Sequence, residues 1–417
     1  MSHDATLLKD KSTEIGTIPS DWDVKPISEL FEVTAGGDWD RMNSSRYEQG
    51  PYRYPIYANA LRNDGVQGYC KYWKIPGESL TITGRGDVGK AVYRPRPFVP
   101  IVRLLALVPR NSSAKFYAEY INSKVSFALE STGVPQLTAP QVKPLLVPVP
   151  PVEEQYAIAN ALTQVDSLVT ALERLIVKKE AIRDGMMQQL LTGKTRLEGF
   201  SGEWLSLHVA SKSTLRARIG WQGLTTSEYK TTGHFRLVGG TEFFDGSVDW
   251  GRTPFVDQWR YEQDAGIQVR EGDVLLTKDG TIGKTAYVDH LPGPATLNSG
   301  VFVIRPTRNA YDSRFLYYVL RSRAFEEFLS RLTAGSTISH LYQRDLVGLV
   351  INAPATLEEQ AAIASALGDA DSEIRALRLQ LSKTKSLKRG MTQELLSGRT
   401  RLANQDGSPD RQKEHQS

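Results

Sequence analysis

The chain repeats itself. Residues 153–197 read EEQYAIANALTQVDSLVTALERLIVKKEAIRDGMMQQLLTGKTRL and residues 358–402 read EEQAAIASALGDADSEIRALRLQLSKTKSLKRGMTQELLSGRTRL, aligning without a gap at an offset of 205 residues, with 22 of 45 positions identical. In each copy the apolar positions step by 4, 3, 4, 3, 4: Ile158, Leu162, Val165, Val169, Leu172, Ile176 in the first, and Ile363, Leu367, Ala370, Ile374, Leu377, Leu381 in the second. That spacing is a coiled-coil seam. The stripe then shifts face to Ile182, Met186 and Leu190, and to Leu387, Met391 and Leu395, before Gly193 and Gly398, where glycine accepts the left-handed conformation that ends a helix. Each copy is expected to be a helix of about 40 residues, about 60 Å long at 1.5 Å per residue. An isolated helix cannot bury such a seam, and the natural partner of each copy is the other.

The regions upstream of the two helices echo each other more faintly. IPSDW at 18–22 is matched by FSGEW at 200–204, and LTITGRGDVGKAVY at 80–93 by LLTKDGTIGKTAY at 275–287, each a strand, a glycine-rich turn and a second strand. Apolar strands follow at 102–108 and 301–304, then helical patterns at 115–129 and 313–332, then STGVPQL and TAGSTISHL. The expected organisation is a first globule at 1–150, a long helix at 151–197, a second globule at 198–353, a second long helix at 354–402 and a disordered polar tail at 403–417. The fold class is α/β in the α+β sense, with two repeated globules joined by two long antiparallel coiled-coil helices and related by a pseudo-twofold axis.

A chain of 417 residues exceeds one ordinary core, which agrees with that division. No apolar run is long enough to span a bilayer, and the first residues lack the apolar stretch of a signal peptide, so a cytoplasmic protein without membrane contact is expected. The single cysteine, Cys70, excludes an internal disulfide, and with six scattered histidines it argues against a metal site. A net charge of +4 permits a polyanionic partner without requiring one.

One segment looks like a phosphate loop. Gly84 to Lys90 contains both G-x-G-x-x-G and G-x-x-x-x-G-K, yet the matching stretch Lys278 to Lys284 keeps only G-x-x-G-K. The strand–turn–strand context also lacks the helix N-terminus that phosphate binding uses. The shared glycines therefore read as turn geometry, with Arg85, Lys90, Lys278 and Lys284 as cations that could lie near a phosphate backbone. No H-E-x-x-H, G-x-S-x-G or Asn/Asp-Pro-Pro-aromatic run is present. Glu153-Glu154 and Glu358-Glu359 stand at helix starts, where negative charge offsets the dipole, and are read as caps.

The loops where the copies differ most carry side chains able to form bidentate contacts with base edges. In the first copy these are Arg41, Asn43, Arg46, Asn59, Arg62, Asn63 and Gln67, with Tyr47 beside them; in the second, Arg218, Gln222, Lys230, Arg236, Gln258 and Arg260.

This architecture resembles the specificity subunits of type I restriction–modification systems. The resemblance rests on the EEQ start, the heptad stretch, the G-M-x-Q-x-L-L-x-G-x-T-R-L ending of both helices and the duplicated globule, and it covers residues 1 to about 402. It implies that each globule is a target recognition domain reading half of a split double-stranded DNA site, with the helices as a ruler. It further implies a chain without catalytic activity or cofactor of its own. Two modification subunits would carry S-adenosylmethionine, and two restriction subunits would use ATP and magnesium. Gln155, Gln188, Arg196, Gln360, Gln393 and Arg401, identical between copies and outside the seam, are then candidate docking residues. Two other readings stay open: a phosphate-binding enzyme built on Gly84 to Lys90, and a coiled-coil adaptor that binds no DNA.

Overall fold

The computed structural model describes residues 10–60, 62–127, 135–219, 223–333 and 340–402. The chain divides into two compact units, one of Met1–Glu173 with Gln380–Ser417 and one of Arg174–Leu379. Both are built on one plan.

In the first unit a four-stranded antiparallel sheet runs in the order Phe31–Ala35, Leu104–Pro109, Ser79–Thr83, Ala91–Arg94. The second unit repeats it as Ser213–Ala217, Val301–Pro306, Val274–Thr277, Thr285–Tyr287. The central strands of each sheet, Leu104–Pro109 with Ser79–Thr83 and Val301–Pro306 with Val274–Thr277, are buried over most of their length, and a helix packs on the sheet: Ala114–Lys124, capped by Ser113, in the first unit and Ser313–Val319, capped by Asp312, in the second. Each unit adds a smaller sheet, Val99–Pro100, Tyr54–Tyr57, Val66–Cys70, Ser44–Ser45 in the first and Phe255–Val256, Phe235–Val238, Ala295–Leu297 in the second. A two-stranded ribbon completes each unit, pairing Leu146–Val149 with Asp23–Pro26, and Val350–Pro354 with Trp204–His208. The strand expected at 102–108 begins only at Leu104, because Arg103 takes φ +70 in the preceding turn and Val102 is exposed. The second helical pattern breaks after Val319 and resumes as Arg323–Thr333.

The two repeats are helices of 39 residues, Val152–Leu190 and Leu357–Leu395. Ion pairs give their mutual direction. Within the first unit Asp166 meets Lys388 and Glu173 meets Lys385, both at 2.7 Å; within the second Lys179 meets Glu373 at 2.7 Å and Arg183 meets Asp371 at 3.2 Å. Numbers rise along one helix as they fall along the other, so the pairing is antiparallel. The seam residues Ile158, Leu162, Leu172, Ile176, Ile363, Leu367 and Ile374 are buried as expected.

The expected change of face is partly wrong. Ile182 and Leu387 are 46% and 59% exposed, and the buried residues beyond them are Met187, Leu190 and Leu191, and Leu395 and Leu396. The last turns do not prolong the seam but enter the globules. Leu395 and Leu396 join Phe31, Leu80, Ile82, Leu105 and Phe116 in one core, while Met187, Leu190 and Leu191 join Val274, Leu276, Phe302 and Phe315 in the other. The first turns enter the same cores, through Ile158 and Leu162 in the first unit and Ile363 and Leu367 in the second. Each unit thus closes on the start of one helix and the end of the other.

Candidate nucleic-acid interface

The helix ends explain the motif residues that flank the seam. In the first unit the buried Glu154 carboxylate accepts from Arg401 at 2.5 and 2.7 Å and from the Trp22 indole N–H at 3.0 Å, while Arg401 also donates to Asp21 at 2.8 and 2.9 Å. The Arg401 hydrogen bond holds the Asp21 carboxyl below its ordinary value. In the second unit Glu359, just as buried, accepts from Arg196 at 2.6 Å twice, and Arg196 donates onward to the Gly202 carbonyl. Gln155 is 1% exposed, its amide receiving Ser113 N–H and donating to Pro150 O; Gln360 repeats this with Asp312 N–H and Pro354 O. Expectation and structure part here. Gln155 and Gln360 are buried and spend their hydrogen bonds inside a unit, Arg196 and Arg401 are partly exposed but engaged first with Glu359 and Glu154, and those two glutamates are ion-pair acceptors rather than simple caps. Of the six docking candidates, Gln188 and Gln393 are exposed.

The glycine-rich segments are hairpin turns. Gly86, Gly89, Gly280 and Gly283 all have positive φ, and in each turn a threonine hydroxyl, Thr83 or Thr277, accepts the lysine N–H, Lys90 or Lys284, at 2.9 Å. A Cβ on Gly89 would lie 2.4 Å from Phe127, and one on Gly283 2.5 Å from Leu329. Phosphate-loop geometry, with amides fanned toward an anion at a helix start, is not formed. Arg85 and Lys90 are exposed on the first turn. On the second, Lys284 reaches the Gly240 and Phe243 carbonyls at 3.3 Å and Lys278 lies over the Phe302 ring. The turns are closed by equivalent bridges, Arg85 to Gln136 and Asp279 to His340.

The loop candidates divide. In the first unit Asp40 braces the short turn Arg41–Asn43, accepting from Met42 N–H at 2.9 Å and from the Asn43 amide at 2.5 Å, so that Arg41, Asn43 and the 89% exposed Met42 project from it. Arg46 and Asn63 line a hollow of about 480 Å³ together with Tyr47, Gln67 and Tyr69. Arg62 is exposed beside them. Asn59, by contrast, is consumed as a strut: its amide donates to Val102 O and its oxygen accepts Gly84 N–H, both at 2.7 Å.

In the second unit Lys230 pairs with Asp257, and Gln258 bonds Glu262 at 2.7 Å along the short helix Gln258–Glu262 beside the half-exposed Trp259. Arg236 donates to Trp250 O and Thr253 and sits over Phe255. Arg218 is 1% exposed and bonded to Leu297 O, Thr296 and Gln263; burial pushes its guanidinium down from the ordinary value. Arg218 is thus buried in holding the unit together, while Arg236 ties its strand to the 250–253 loop and stays half-buried. Gln222 lies outside the described residues. Tyr69, which lines the hollow, and the half-exposed Trp259 are not among the candidates, since no local pattern signals where they lie.

Among the described residues no cluster of ligating side chains could hold a metal ion, and no helix is long and apolar enough to cross a membrane. The model of the type I restriction modification DNA specificity domain matches the chain twice, over residues 19–181 and 235–389. The chain belongs to that family. As a type I DNA specificity protein it is 24% identical over 423 residues to the specificity subunit provisionally named for the MjaX enzyme of Methanocaldococcus jannaschii, covering 94% of this chain and 96% of that one. It is 22% identical over 418 residues to the MjaVIII specificity subunit of the same organism, covering 93% and 95%. The crystal structure of the type I S subunit from M. genitalium shares the fold, with a TM-score of 0.64 at 15% identity over 90% of this chain and 96% of that one. A chain from a structure on complex assembly and conformational transition of a type I R-M system matches with a TM-score of 0.53 at 18% identity, over 91% and 99%. Neither the phosphate-binding enzyme nor the DNA-free adaptor is supported.

Proposed function

We propose that this specificity subunit reads an asymmetric, bipartite sequence in double-stranded DNA, each globule contacting one half and the paired helices setting the unread gap. The observation that carries this reading is a contrast within the repeat: the two units share sheets, turns and helix-end ion pairs, while the exposed polar and aromatic residues between their strands, Arg41, Asn43, Arg46 and Arg62 in one and Lys230, Gln258 and Trp259 in the other, stand in unlike sequences. A shared frame with unlike loops suits two readers of different sequence, with half-sites about one helical turn, ~34 Å, apart. The chain itself supplies recognition and no chemistry. Two modification subunits carrying S-adenosylmethionine and two restriction subunits using ATP and magnesium assemble on it in the cytoplasm, the exposed helix ends near Gln188 and Gln393 being candidate docking points.

Mapping methylated adenines in host DNA after expression with the cognate modification subunit tests this. A split motif is expected, and one heptad inserted into each helix of the pair, after Glu173 and after Leu379, should widen its gap while leaving both halves unchanged. A continuous motif, or a gap indifferent to the insertion, would overturn the proposal.

A further inference from the structure

In the first unit, the hairpin between Tyr54–Tyr57 and Val66–Cys70 turns through Arg62–Gly65, where two consecutive non-glycine residues are left-handed, Asn63 at φ 53 and Asp64 at φ 52. Side chains resist that region, asparagine and aspartate least, and two such residues in succession persist only where the surroundings hold them. Here the holder is identifiable. Arg94, at the end of a strand in the larger sheet, is 3% exposed, and its guanidinium donates to the Asp64 carboxylate at 2.8 Å, to the Asp64 carbonyl at 3.1 Å and to Thr81 Oγ1 at 3.1 Å. It lies flat against Tyr57, 3.7 Å from the ring centroid. The bulk of the bond is inside, yet its carboxylate, 67% exposed, sits at the tip of an outer loop. A buried cation must keep its partner, so the core of the sheet fixes the position of the loop rather than the reverse.

Arg62 projects from this fixed turn, and Asn63, its amide donating to Val66 O at 3.3 Å, lines the hollow shared with Arg46, Tyr47, Gln67 and Tyr69. We propose that Arg94 is a positioning residue for DNA reading, presetting the strained Arg62–Gly65 turn so that its side chains meet base edges in one half-site without reordering. The inference rests on the DNA-reading function proposed above. The second unit contains a parallel. Arg218, buried among Leu297 O, Thr296 and Gln263, also reaches the Arg260 carbonyl at 3.4 Å and thereby anchors the short helix that carries Gln258 and Trp259. The two arginines occupy unlike places in the plan: Arg218 follows the strand Ser213–Ala217, and Gly36 follows the matching strand of the first unit. Each reader has its own brace, as elements that set different loops should.

The test uses the full chain with its modification subunits, selecting bound duplexes from a randomised pool and sequencing them, well below the melting point of each variant. Asp64→Gly removes the ion pair and accepts the backbone conformation; Arg94→Met removes the buried charge but keeps an apolar filling. The two differ in their effect on stability, and both should relax base preference in one half-site only, by about tenfold, with the other half unchanged. A folded variant of either kind that keeps full preference in both halves would overturn the brace, as would equal loss in both. A wild-type complex without sequence preference would overturn the DNA-reading function itself, and the brace with it.

Discussion

Replacing Arg196 with methionine should destabilise the second unit more than replacing Arg401 destabilises the first. The Glu359 side chain is 2% exposed and receives two bonds of 2.6 Å from a guanidinium that is itself 25% exposed. Removing one member of a fully buried pair costs about 3–5 kcal/mol; partial exposure of Arg196 lets water replace some of the lost interaction, leaving about 2–3 kcal/mol. The first unit differs in two ways: Arg401 also donates to Asp21, a 47% exposed side chain whose pairing adds little, and Glu154 has a second donor. After Arg401→Met, Glu154 still accepts from the Trp22 indole at 3.0 Å, whereas the corresponding Trp204 Nε1 is buried without a partner. With that bond retained, the expected cost is about 1–2 kcal/mol. Because two units need not unfold together, the assay is urea unfolding followed by amide exchange of each unit separately, for Arg196→Met, Glu359→Gln, the double variant and Arg401→Met. The cycle should return a coupling of about 2 kcal/mol between Arg196 and Glu359. A coupling below about 0.5 kcal/mol, the size of an exposed pair, or a costlier Arg401→Met, would refute the reasoning.

Met187→Ala should cost about 2–4 kcal/mol by emptying core space, and Ile182→Ala less than about 0.5 kcal/mol, measured by the same unfolding; equal costs would contradict the burial of the last helical turns. Gly89→Ala sets a left-handed alanine against the Phe127 ring and should lower stability by about 2 kcal/mol, read as a drop in the melting temperature of the first unit. The Glu228 carboxyl is held at about 2, below its ordinary 4.5, first by the Arg260 hydrogen bond and then by the Thr225 backbone N–H. A depressed carboxylate stabilises the fold above its unfolded value and loses that contribution as pH falls from about 4.5 toward 2. Trp259, stacked 4.2 Å from Arg260, should report the loosening by fluorescence in that window, and Arg260→Gln should move the midpoint upward. A midpoint unmoved by Arg260→Gln would reject the assignment.

The repeat made much of the fold legible. Heptad spacing located both long helices, and each globule's strand–turn–strand was visible because its second copy separated shared turn glycines from an accidental phosphate-loop pattern. The polar residues were harder. Gln155 and Gln360 are identical between copies because each solves the same internal problem, joining a helix start to a capped helix of the globule. Identity alone does not say whether a side chain faces in or out. Asn59 and Arg218 sit in loop-like sequence, but their hydrogen-bond partners, Val102 and Leu297, lie 43 and 79 residues away, so no local pattern shows their donors to be already engaged. The brace at Arg94 was invisible for the same reason, its partner Asp64 belonging to a different sheet.

That each unit closes on the start of one helix and the end of the other has a consequence for biosynthesis. A ribosome releases the chain in order, yet the first globule is missing Leu395, Leu396 and Arg401 until the second globule has been made; the Arg401–Asp21 bond spans 380 residues. At about 5–20 residues per second, some 10–50 seconds separate the synthesis of Ile158 and Leu162 from that of the leucines that cover them. The second globule, begun later, has all its residues once Leu379 has emerged. The part translated first is therefore the last to be sealed, and a premature stop just past Leu379 would strip the cover from the N-terminal reader while sparing the one encoded after it.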